Sequence, residues 1–241
     1  AKSLGCEALG IDVIPFSEAL PDIPVDRPTV FYGATGFINS VFLKGSWTPG
    51  TFYDPDAFRF SRYLLEYGER MLNSNVELTT LGMFGMVERD PDSLIFVRPD
   101  RDLKEFAGEV IRCGDFEAWS KRVSHGSYTF GSDCPIVIAE PVGISFEWRL
   151  FVVDGKIITG SRYRKKSILD VSPEVPDRVK RFAEDCIAIW NPAPAYALDI
   201  AQSGNDLYVL ELGCFNSAGF YDADIELIVG AVTSYIKNKP I

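Results

Sequence analysis

The sequence predicts an α+β chain: a small mixed α/β lobe followed by a longer region built from antiparallel hairpins. Three observations carry this. Turn residues punctuate short apolar runs through the last two thirds of the chain, most clearly Asp154-Gly155 and Ser203-Gly204-Asn205-Asp206. Helical periodicity is confined to a few stretches, among them 56–73, 177–190 and 224–237. The chain's 241 residues, 46% apolar and 24% charged, suffice for one globular domain, or a large domain with a small appendage, around a sizeable core. A Rossmann-type parallel sheet fits this order of elements poorly.

In chain order, Ile11 to Phe16 and Thr29 to Tyr32 read as short strands, and YGATGF, 32–37, as a strand-to-loop turn. Residues 56–73 read as a helix, with Phe60, Leu64, Tyr67 and Met71 at three- or four-residue spacing and Asp56 near its start. SLIFV, 93–97, and EFAGEVI, 105–111, read as strands around the polar turn RPDRDLK. DFEAWSKRV opens a short helix with Asp115 as its cap. PIVIAEPV, SFEWRLFVV and KIITGSRYR follow as strands, then a helix over Asp177 to Trp190, then the strands AYALDIA and LYVLELG. A last helix over Asp224 to Lys237 places Ile225, Ile228, Val229 and Val232 on one face. The expected division is a lobe over 1–92 and a main region over 93–241.

Charge and rare residues exclude whole classes of function. Asp and Glu outnumber Lys and Arg by 34 to 24, a net charge of −10, which disfavours bulk nucleic-acid binding. The single histidine, His125, leaves no basis for zinc sites built on imidazole clusters, and its Gly-flanked setting reads as a surface loop. Cys6, Cys113, Cys134, Cys186 and Cys214 are scattered without a CxxC pair, as buried small hydrophobes in a reducing compartment would be. No apolar run approaches the roughly 20 residues that cross a bilayer, and no signal layout stands at the N-terminus, so the expected location is the cytoplasm, with no membrane partner. The four tryptophans and most of the phenylalanines read as core packing.

Chemistry therefore falls to carboxylates, Lys and Arg. Asp199 and Glu211 lie in apolar strand runs twelve residues apart around a tight turn, a spacing that sets two side chains opposite each other on one face of a hairpin. Two like charges in a mostly apolar setting are costly. Two readings stand: a shared divalent cation, magnesium held jointly with phosphate oxygens, or an Arg partner or turn cap for each acid. Cations occur at Arg98 and Lys104 around the RPDRDLK turn, at Arg149 two residues after Glu147, and in SRYRKK at Arg162, Arg164, Lys165 and Lys166. Such a run is more often a solvated strand end than a site. No GxxxxGK[ST] or GxGxxG phosphate cradle is present.

The order of IFVRPDRDLKEFAGEV, VIAEPVGISFEWRLFVVDGKIITGSRY, ALDIA and LYVLELGCFNSAGFY resembles the ATP-grasp superfamily, in particular a compact branch of predicted ligases. The likeness covers roughly 93–224, and the preceding lobe looks like the small α/β domain usual before the nucleotide-binding part. The resemblance implies two antiparallel-rich subdomains clasping ATP, with Mg²⁺ on the phosphates. Arg98 falls where the family often has a phosphate-binding Lys, and Lys104 becomes a second phosphate contact. Glu140, Pro141 and Val142 match the hinge whose backbone binds adenine. Glu147 and Arg149 match a Glu-x-Arg motif, with Arg149 facing the γ-phosphate or the acyl substrate. Asp199 and Glu211 match the metal acids. Many members carry Asn two residues after the metal Glu, where this chain has Gly213; Asn216 is the candidate substitute.

The implied activity is an ATP- and Mg²⁺-dependent ligase joining a carboxylate to an amine through an acyl phosphate, with Glu147, Arg149 and Lys104 as its working side chains. Such chemistry needs positioning and neutralising cations rather than a side-chain nucleophile, which suits a chain with one histidine. The carboxylate and amine substrates are unspecified, a peptide or protein acceptor among them. A kinase or phosphoryl transferase on the same nucleotide site, or a nucleotide- or protein-binding module without turnover, stay open as alternatives.

Overall fold

A computed structural model describes residues 5–14, 19–124 and 131–238. His125 and part of the first expected strand lie outside them; residues 11–14 form no strand. The main sheet has five antiparallel strands in the order β11-β10-β7-β8-β9, from β7 (Phe146–Val153), β8 (Lys156–Lys165), β9 (Ile168–Ser172), β10 (Ala195–Ser203) and β11 (Asp206–Cys214). Asp154 and Gly155, at φ 51° and 71°, make the left-handed turn their sequence predicts.

The two faces of this sheet follow from alternation along its strands. Trp148, Leu150 and Val152 of β7 and Tyr196, Leu198 and Ile200 of β10 share one core with Val179, Ala183 and Cys186 of α5 (Asp177–Ile189). Phe151, Val153, Ala195 and Ala197 point the other way, onto Ile228 and Val232 of α6 (Ile225–Asn238). α6 therefore covers only one end of that second face. At the other end the same alternation presents Glu147, Arg149 and Asp199.

A second, four-stranded antiparallel sheet runs β3-β6-β4-β5, from β3 (Val76–Thr80), β4 (Leu94–Pro99), β5 (Glu109–Arg112) and β6 (Pro135–Ala139). Val97, Ile136 and Ile138 pack there on Leu81 and Phe84 of α3 (Leu81–Phe84) and on Phe116 and Trp119 of α4 (Phe116–Ser124). The strand expected over 105–111 begins only at Glu109, because the chain first runs tight against β4: a Cβ at Gly108 would sit 2.8 Å from the Phe96 ring. Asp115 ends a 3-10 turn, Cys113–Asp115, ahead of α4.

The N-terminal part contains a two-stranded parallel pair, β1 (Thr29–Val30) and β2 (Pro49–Gly50), with α1 (Thr35–Lys44) and α2 (Phe60–Tyr67). The stretch 32–37 is thus not only a turn, since Thr35 starts a ten-residue helix. α2 is shorter than its apolar spacing suggests. Gly68, at φ 53°, closes it into a 3-10 turn, and its start is capped from afar rather than by Asp56. The Asp100 carbonyl accepts from Phe60 N at 2.7 Å, and the Asp100 carboxylate accepts from Ser61 N at 2.7 Å and Ser61 Oγ at 3.0 Å. Phe31, Ile38, Phe58, Tyr63 and Tyr67 pack this part onto the Trp148–Leu198 core. Among the described residues all the cysteines are free, and no helix is long and apolar enough to cross a membrane.

Candidate functional site

The uncovered end of the second face carries a row of charge. Asp199 stands opposite Arg149 of β7 on one side and Glu211 of β11 on the other, as the twelve-residue spacing predicts. Arg149 grips Asp199 with both arms: Nε donates to Oδ1 at 2.8 Å and Nη2 to Oδ2 at 2.7 Å. The two side chains are 15% and 4% exposed, so the pair is nearly dry. Tyr163 donates its hydroxyl to Asp199 Oδ2 at 3.2 Å, and Arg149 Nη1 donates to the Gly219 carbonyl at 3.4 Å.

The guanidinium also lies over the Tyr163 and Tyr221 rings, at 5.6 and 5.3 Å, and those rings stack at 4.8 Å. Burial opposes its charge, but the adjacent Asp199 carboxylate outweighs this and holds the Arg149 pKa above its ordinary value. Arg149 is thus a fixed cation in a low-dielectric setting, the form in which a positive charge acts most strongly on an anion.

At the other end of the row the second sheet reaches across to the first. Arg98, on β4, donates to the Leu210 carbonyl at 3.4 Å, approaches Glu211 Oε2 at 3.5 Å, and lies 5.1 Å over the Phe60 ring. Beyond it the RPDRDLK segment straps down the end of β11. Asp102 accepts from Cys214 N at 2.8 Å, and Lys104 Nζ donates to the Ser217 carbonyl at 3.5 Å. Burial first, and the Glu211 charge second, push Asp102 up to about 7, partly offset by its bond from Cys214 N and by Lys104 and Arg98.

Of the residues the sequence nominates, Arg98, Glu147, Arg149, Asp199 and Glu211 thus belong to one electrostatic neighbourhood. Glu147 is buried, 3.9 Å from Arg164, and bonded to Tyr163; burial raises its pKa. Lys104 is exposed beside this group. Glu140, Pro141 and Val142 lie exposed on the connection from β6 of one sheet to β7 of the other, and the Glu140 carbonyl accepts from Asn73 Nδ2 at 3.2 Å.

Asn216 is buried and bonded to the N-terminal part. Its Oδ1 accepts from Phe52 N at 2.8 Å and its Nδ2 donates to the Phe31 carbonyl at 2.6 Å, so this buried amide ties the N-terminal part to the end of β11. Gly213 faces open space: no atom would lie within 4 Å of a Cβ there. Tyr163, Tyr221 and Asp102 are residues that sequence reasoning missed. Tyr163 sits inside the SRYRKK run that reads as a solvated strand end, and irregular pairing of β8 with β7 and β9 turns it onto the site.

The donor set suits one hard cation only in part. Glu211 is 34% exposed and holds a single long contact to Arg98, so its oxygens have lone pairs to give. Both Asp199 oxygens are engaged by Arg149. Among the described residues no three His, Cys, Asp or Glu side chains converge as a metal cluster. Magnesium commonly keeps several waters and phosphate oxygens around one or two carboxylates, and Glu211 alone fits that pattern as its one carboxylate.

A family model described as ATP-grasp domain, R2K clade family 3, matches residues 32–232. No curated protein matches by sequence. Among solved structures, D-alanine–D-alanine ligase from Bacillus anthracis superposes with TM-score 0.51 at 12% identity, over 76% of this chain and 68% of that one. D-cycloserine synthetase DcsG gives 0.52 at 11%, over 85% and 78%. The ATP-grasp ligase PsnB, complexed with a minimal precursor, gives 0.50 at 17%, over 85% and 69%. The fold expected from the order of the motifs is the fold observed.

Proposed function

The chain belongs to the ATP-grasp domains of R2K clade family 3, and from that premise we propose that it is an ATP- and Mg²⁺-dependent carboxylate–amine ligase working through an acyl phosphate. The observation that carries the proposal is the Arg149 centre. A permanently charged, nearly dry guanidinium is held by Asp199 and two tyrosines, and Asp199 in turn stands opposite the more open Glu211.

Bound Mg-ATP supplies the phosphoryl group and the divalent charge. Arg98 and Lys104 would neutralise phosphate oxygens from the second sheet, and the 140–142 connection would offer backbone atoms for the base. Glu211 would hold the metal. Arg149, which stays protonated, orients the carboxylate acceptor and steadies the charge that spreads over the transferring group. Glu147 and Tyr163 are positioning residues that hold Arg149 and Asp199 in place. The amine then attacks the acyl carbon and phosphate leaves, a step in which proximity does most of the work.

Phosphate release on mixing the protein with ATP, Mg²⁺ and an amino-acid pool tests this reading, and a ligase gives release that depends on all three. Gly213, where many relatives carry Asn, favours the second reading of a nucleotide-binding module without turnover. That reading predicts a thermal shift with Mg-ATP, worth about 2.7 kcal/mol at 100 times the dissociation constant, and no phosphate release. The absence of any shift would contradict both.

A further inference from the structure

The face that carries Glu211, Asp199 and Arg149 does not stop at β7. Arg164 of β8 pairs in register with Glu147, and Leu169 of β9 pairs in register with Arg164. The charged row therefore continues sideways to an edge strand, irregularly paired with β8 beyond Leu169 and flanked by lysines only at its tip, with no strand on its outer side among the described residues. Edge strands are normally blunted by Lys, Pro, a bulge or a covering element, because their free N–H and C=O groups recruit other strands. β9 reads Ile-Leu-Asp-Val-Ser; its Ile168, Leu169 and Val171 are 72%, 67% and 42% exposed, and among the described residues no strand pairs with its outer side. Its one acid, Asp170, is neutralised by Arg162 at 2.9 Å. Beside this apolar edge Arg164, Lys165 and Lys166 are all exposed, a local concentration of positive charge on a chain of net charge −10.

We propose that the outer edge of β9 and the basic tip of the β8–β9 hairpin form the docking surface for an extended, acidic peptide. This rests on the ligase reading above and names its acceptor as a polypeptide. An extended peptide satisfies every feature at once. Its backbone continues the ladder, alternate apolar side chains cover Leu169 and Val171, and its acids, on the opposite face, meet Lys165 and the tip lysine Lys166. A nucleic acid answers the charge but neither the unpaired ladder nor the aliphatic side chains, since the exposed residues of β9 include no aromatic platform for bases.

The test is fluorescence anisotropy with a labelled peptide of about ten residues alternating Glu and Val, long enough to span a five-residue edge strand. The wild type should bind it saturably, and binding should weaken as salt is raised. Leu169→Asp with Val171→Asp, and separately Lys165→Glu with Lys166→Glu, should each weaken binding about tenfold or more. Circular dichroism melts should confirm that both variants are folded. Glu211→Gln should bind the peptide like wild type, since it lies at the far end of the row. No saturable binding, equal binding of a Gln–Val peptide, or no loss in the folded Leu169→Asp variant would overturn the proposal. So would a wild-type dimer in sedimentation that Leu169→Asp dissolves, which makes the edge a contact between copies. If the peptide binds and no acceptor stimulates ADP formation, the docking surface stands and the ligase reading fails. If other acceptors stimulate ADP formation and the peptide does not bind, the docking surface alone is wrong.

Discussion

Asp199 and Glu211 are direct cross-strand partners on the same face, yet Arg149 holds the first through two bonds of 2.8 and 2.7 Å while Arg98 only approaches the second at 3.5 Å. The difference comes from where each partner is rooted. Arg149 grows from β7, the strand hydrogen-bonded to β10, so sheet register alone places it beside Asp199. Arg98 grows from the other sheet and must reach across, leaving Glu211 a third exposed. One acid is structural cement for a cation, and the other is left partly open. The hairpin thus resolves its own like-charge conflict asymmetrically.

Replacing the arginines tests this contrast most strongly. Arg149→Ala leaves Asp199 buried without a countercharge and should cost about 3–5 kcal/mol in urea denaturation, much of it recovered when Asp199→Leu is added. Arg98→Ala removes a longer contact to a more open acid, together with its packing on Phe60, and should cost less, about 1–2 kcal/mol, while weakening ATP binding about tenfold by calorimetry. Equal losses from the two would break the comparison.

Asp102 sharpens it with pH. Its folded pKa of about 7 lies above the unfolded carboxylate value, so the folded protein holds the extra proton. Stability from this group is therefore greatest in acid, falls as pH rises from about 4 towards 7, and is level above that window. Asp102→Asn still accepts from Cys214 N but carries no charge. Its urea midpoint relative to wild type should climb through that window and then stay constant. The smallest effect is expected at Gly213, where a side chain meets open space. Gly213→Asn should change stability by about 0.5 kcal/mol or less and lower the Mg²⁺ concentration needed for half-maximal ATP turnover.

What the sequence disclosed was local or periodic. The Asp154-Gly155 turn and the spacing of Asp199 to Glu211 fix register through backbone geometry, and the structure reproduces both. What stayed hidden depends on contacts between distant segments. Asp100 reads as a turn residue, and only the approach of α2 makes it a helix cap. Asp102 reads as one more polar residue of the RPDRDLK turn until the strap buries it against Cys214. Tyr163 is masked by the cations around it, and Tyr221 lies in a loop whose position no periodicity encodes. Asn216 reads from its closeness to Glu211 as a candidate metal ligand, and no periodicity shows that its amide bonds Phe31 and Phe52.

The most direct test is Glu211→Gln, which removes one charge from the acid that the structure leaves available and keeps its shape. The variant should melt close to wild type, since Glu211 is partly exposed and weakly paired, and should form no ADP from Mg-ATP in the presence of any acceptor. A folded Glu211→Gln protein that turns over Mg-ATP at the wild-type rate would contradict the assignment of Glu211 as the metal seat.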